Sequence, residues 1–135
     1  MGAATSTRFT KYASTVDTAS ESSASQHADY TRIEQEISAI NQALARVNSL
    51  NSADTVAKEI KPRVKYLDEE FDNDEARKSL SKEQYNRVVR KVHETYARIM
   101  ALAEVERSFY GSVHLAKVGN TFKYIVRDVT HPKKG

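Results

Sequence analysis

The chain has 135 residues, 39% of them apolar and 29% charged, with eleven aromatics and neither Trp nor Cys. That inventory suits one compact domain or a pair of small helical pieces and argues against a large enzyme core with a deep pocket. The missing cysteines exclude disulfides, thiolate zinc sites and cysteine nucleophiles, and no window approaches the roughly 18 apolar residues of a membrane span. The formal charge of +3 is unevenly spread: residues 1–80 hold ten Lys/Arg against thirteen Asp/Glu, residues 81–135 eleven against five. The two halves therefore present different surfaces to partners.

Met1-Gly2-Ala3-Ala4-Thr5-Ser6 fits the pattern for N-myristoylation at Gly2, with Arg8 and Lys11 close behind. A lipid-anchored peripheral adaptor is one reading of that start. No apolar run follows it in the manner of a secretory signal. The expectation is an intracellular chain, or a component of a virion or other large complex, that is not secreted. Residues 1–27 form a Ser/Thr-rich arm, with eleven Ser/Thr in the first 25 positions. A heptad seam nevertheless crosses it. Phe9, Tyr12, Val16, Ala19, Ser23 and Gln26 lead at spacings of three and four into Tyr30, Ile33, Ile37, Ile40, Leu44 and Val47. The spacing predicts a helix over 28–50 and a conditional extension back towards Phe9, where Phe9, Tyr12, Val16 and Tyr30 are candidate partner contacts.

The polar stretch around Asn48 and Ser52 breaks that element. A second helix is expected over 53–71, kinked or split at Pro62, because proline lacks the amide hydrogen and crowds the preceding turn. Ser81 and Gln84 form a capping box for a third helix over 82–110. Its seam of Tyr85, Val89, Val92, Tyr96, Ile99 and Ala103 is widened by Val88, Met100 and Leu102, so it packs on two neighbours. Gly111 ends it.

After Gly111 the apparent period changes to two. Val113 and Leu115 alternate with polar neighbours, Gly119-Asn120 resembles a tight turn, and Phe122, Tyr124 and Val126 alternate again. The pattern predicts a β-hairpin pairing 112–118 with 121–129, followed by a basic tail over 130–135. An unpaired hairpin edge or face invites a partner, which makes Phe122, Tyr124 and Ile125 candidate docking residues.

Little in the chain carries bond-making chemistry. A calcium loop started at Asp72 would place Asp74 and Glu83 suitably, but Ala76 and Arg77 stand where a ligand and the obligatory glycine belong. His27, His93, His114 and His131 have no metal-ligand spacing. No phosphate loop, nucleophile elbow or paired-histidine helix is present. No catalytic residue, cofactor or metal is therefore expected. Nucleic-acid contact has a better basis, in Arg87, Arg90 and Lys91 on the third helix with Lys117, Lys123 and Arg127 on the hairpin. The resulting expectation is a mainly α fold: a long-helix hairpin or three-helix bundle over 28–111 with coiled-coil-like heptads, plus a C-terminal β-hairpin over 112–129. Its expected role is a non-enzymatic structural or adaptor subunit, partnered by protein subunits or its own copies. A nucleic-acid-binding accessory protein using residues 81–135 is the alternative.

Overall fold

The computed structural model describes residues 30–48, 50–72 and 78–131. Four helices follow one another there: α1 Tyr30–Leu44, α2 Leu50–Phe71, α3 Lys82–Tyr110 and α4 His114–Thr130. The arm with Phe9, Tyr12 and Val16, and the Gly2 motif, lie outside the described residues.

Contacts between the helices define the wiring. α1 packs on α2 and α3, α4 packs on the same two, and α2 meets α3 only slightly. The cross-section is a ring in the order α1, α2, α4, α3. Lys91 bonds Glu34 at 2.9 Å and Asn41 bonds Thr95 at 2.9 Å, so α1 and α3 run parallel. Arg63 reaches Glu36 and Arg46 reaches Glu59, so α1 and α2 run antiparallel. Tyr85 donates to the Val129 carbonyl at one end while Glu106 accepts from Leu115 at the other, which makes α3 and α4 antiparallel.

Burial explains why these segments are helices. Ile33, Ile37, Ile40 and Leu44 of α1 recur at three and four and are at most 2% exposed. Ile60, Val64 and Leu67 of α2 and Val88, Val92 and Ile99 of α3 complete the same core. Fully burying each such side chain contributes about 1.5–3 kcal/mol, which outweighs the modest helix propensity of valine and isoleucine. α2 runs unbroken through Pro62. Pro62 is exposed, as are Lys58 and Lys61 beside it, so the turn that lacks an amide hydrogen lies on the solvent side of the helix, where the loss is tolerated. Ser81 Oγ accepts from the Gln84 amide while the Ser81 amide donates to Gln84 Oε1, both at 3.0 Å, closing the capping box at the start of α3. Gly111, at φ +69°, ends α3 in the left-handed region that glycine enters without strain.

The β-hairpin expected over 112–129 does not form; there are no strands among the described residues, and this segment is α4. The helical period was present beside the alternating one. Leu115, Val118, Phe122, Ile125 and Val129 recur at three and four, and all are buried. Burying that stripe between α2 and α3 overrides the strand preference of its β-branched and aromatic residues. Gly119, read as a turn residue, marks a close approach instead. A Cβ there would fall 2.5 Å from Met100 Sδ and 3.4 Å from Ile99 Cγ2 on α3. Gly119→Ile should therefore displace the Met100 side chain and press on Ile99, costing about 1–3 kcal/mol in urea unfolding. An unchanged unfolding midpoint would remove Gly119 from the helix crossing.

Candidate functional site

α3 is 29 residues long and α1 only 15. Alongside α1, the facing side of α3 is covered: Lys91 meets Glu34, and Asn41 lies against both Thr95 and Arg98. α1 ends at Leu44 and the chain turns away through Arg46 and Val47. The next residues on that side of α3, Leu102, Val105 and Phe109, consequently extend past the end of their neighbour. Phe109 is 76% exposed and Val105 48%. Beside them is a hollow of about 290 Å³, lined by Val47, Ala53, Leu102, Val105, Phe109 and Tyr110, with Asn48 and Glu106 as its polar edge. The site is an apolar notch where a longer α1 would have lain.

Glu106 forms the base of this end. Its side chain is only 1% exposed, yet it is fully bonded. Its carboxylate accepts from Ser112 Oγ at 2.7 Å, from the His114 amide at 3.0 Å and from the Leu115 amide at 2.9 Å. Those amides belong to the first turn of α4, whose own N-cap Val113 supplies no side-chain bond. Glu106 therefore caps α4 from α3, and a carboxylate suits the positive end of a helix. His114 bridges outward, its ring lying 3.6 Å from Asp54 and 4.0 Å from Glu106. Burial pushes the Glu106 carboxyl up. The Leu115 amide, the Ser112 hydroxyl, the His114 amide and the His114 ring outweigh it and hold the group below the ordinary glutamate range.

A second acidic group lies where α2 and α4 end together. Asp128 is 93% buried in its side chain; Oδ1 receives Arg127 at 3.4 Å, and Oδ2 has no hydrogen-bond partner among the described residues. Burial, then Asp128, Asp72 and Glu69, push Asp68 on α2 above the ordinary aspartate range, with Arg127 opposing. No three His, Asp or Glu among the described residues gather closely enough to hold a metal ion.

The residues expected at interfaces are scattered. Phe122 and Ile125, expected on a hairpin face, are fully buried in the core, where Phe122 stacks on Tyr96 with centroids 6.4 Å apart. Tyr124 stays 53% exposed beneath the Arg127 guanidinium, 5.0 Å from the ring centre. Tyr30 is half-buried and donates to Glu34 at 2.7 Å. Lys91 pairs with the same Glu34, and Arg87 acts on it, on the flank of α3 that faces α1. Lys117, Lys123 and Arg127 are exposed on α4, while Arg90 is exposed on α3. The notch itself was not anticipated. Its signal was the spacing of Leu102, Val105 and Phe109, a second apolar line on a helix already supplied with one.

The chain matches no family model, no curated protein and no solved structure.

The two shifted carboxyls act oppositely on stability. Glu106, held low in the fold, stabilises above the ordinary glutamate range, and that contribution is lost as pH falls through its lower folded value. Asp68, held high, contributes below the ordinary aspartate range, and its contribution is lost as pH rises through its raised folded value. Glu106→Gln should cost about 2 kcal/mol at neutral pH and flatten the acid limb of the stability curve, read by urea unfolding at several pH values. An unaltered acid limb would show that Glu106 does not carry it.

Proposed function

We propose that the chain is a non-enzymatic structural or adaptor subunit that joins a protein assembly through the notch at the end of α3. The observation that carries this reading is Phe109, a large aromatic 76% exposed beside an apolar hollow. Single exposed apolar residues are ordinary on proteins, but Val105, Phe109, Tyr110 and Val113 are all at least 40% exposed within nine residues. Such grouped apolar exposure marks contact surfaces, and the occupant it suits is a partner's apolar side chain. The reading places the assembly inside a cell or virion. No helix among the described residues is long and apolar enough to cross a membrane. In a native extract the untagged chain should migrate well above its own mass, and Phe109→Ser should return it to the single-chain position with unchanged helical content. A variant that stays in a full-sized complex would overturn the reading.

A second reading rests on the outer face of α4, where Lys117, Tyr124 and Arg127 recur at seven and three residues. An aromatic flanked by cations suits a nucleic-acid strand. Lys117→Ala should then weaken binding to single-stranded oligonucleotides and lower the salt slope by about one phosphate contact. A slope that does not change would discard it.

A further inference from the structure

We infer that the notch is occupied by a second copy of the same chain, in a two-fold pair built on the last turns of α3. The inference rests on the notch being a protein contact surface and names its partner.

A two-fold interface requires one patch to carry both a projection and a matching recess, because each copy offers the same surface to the other. This patch does. Phe109 projects into solvent, and the hollow beside Leu102 and Ala53 recedes next to it. Leu102 and Phe109 are seven residues apart on one helix face, about 10.5 Å along the axis, with Val105 between them. When two such helices meet antiparallel about an axis near Val105, Phe109 of each copy lies opposite Leu102 and the recess of the other. Spacings of three and four are those with which packed helices interlock.

Charge permits the approach. Two cations near the notch are neutralised within their own chain, Arg46 by Glu59 at 2.6 Å and Arg107 by Glu104, while Arg98, one turn before Leu102, donates to the Asn41 amide oxygen. Two identical surfaces of one sign would repel, whereas these rims bring both signs together in each copy. A partner of opposite net charge has no handle here; a copy meets no penalty.

The absence of cysteine in the sequence makes the test clean. The full chain is examined by sedimentation velocity over a wide concentration range, with Val105→Cys and Lys123→Cys as single-thiol variants under mild oxidation. The wild type should show a reversible monomer–dimer equilibrium, weakened about tenfold or more in Phe109→Ser, a substitution at an exposed site that leaves helical content intact. Val105→Cys should form a covalent dimer, and Lys123→Cys, on the outer face of α4, should not. A wild type monomeric at every concentration overturns the inference, even where Phe109→Ser still dissolves the complex in a native extract and the broader reading stands. A dimer that persists unweakened in Phe109→Ser, with both thiol variants cross-linking alike, overturns it as well.

Discussion

The fold depends on the carboxylate of Glu106. α3 must reverse into α4 within the three residues Gly111, Ser112 and Val113, and the first amides of α4 have no side-chain cap of their own. Glu106 accepts from two of those amides and from the Ser112 hydroxyl while remaining almost wholly shielded from water. Burying a charge is tolerable only when its lone pairs are met, and here they are met by the helix end that most needs an anion. Together with the left-handed Gly111, this group sets the direction in which α4 leaves α3, and with it the burial of Leu115, Phe122 and Ile125.

The same end of the molecule is where the bundle is incomplete. Among the described residues α1 is the shortest helix, and its early end at Leu44 leaves the last turns of α3 partly uncovered. A buried, bonded carboxylate therefore stands directly beside exposed Val105 and Phe109. This end is hydrogen-bonded beneath and apolar above; in the contact proposed for it, anchors already held in place before a partner arrives would lose little freedom on binding.

Much of the architecture was legible. Ser81 with Gln84, Gly111 and the isoleucine line from Ile33 to Ile40 state their roles locally, through backbone bonding or a single helical period. The region after Gly111 was harder. Val113, Leu115, Phe122, Tyr124 and Val126 satisfy a period of two, while Leu115, Val118, Phe122, Ile125 and Val129 satisfy three and four. What separates the readings is Gly119, and its meaning depends on Met100 and Ile99, nineteen or twenty residues earlier and on another helix. No local rule holds that information. The notch was obscured for a related reason. Val105 and Phe109 are exposed, and Leu102 only partly buried, because α1 stops short, and the length of one helix says nothing until its neighbour is known. The burial of the Glu106 and Asp128 carboxylates is equally invisible in the sequence, since it is set by what packs over them.

The ring order of the helices has a kinetic side. α1 with α2 and α3 with α4 are hairpins joined by short turns, so the contacts nearest those turns close small loops. The bonds between Glu34 and Lys91 and between Asn41 and Thr95 join residues 57 and 54 apart. Closing the larger loops costs more entropy before any contact compensates for it. The wiring thus implies an order of events in which two local hairpins form first and their mutual packing sets the barrier. On that route the polar bridge from Asn41 to Thr95 and Arg98 belongs to the last step, the one that fixes which parallel helices become neighbours.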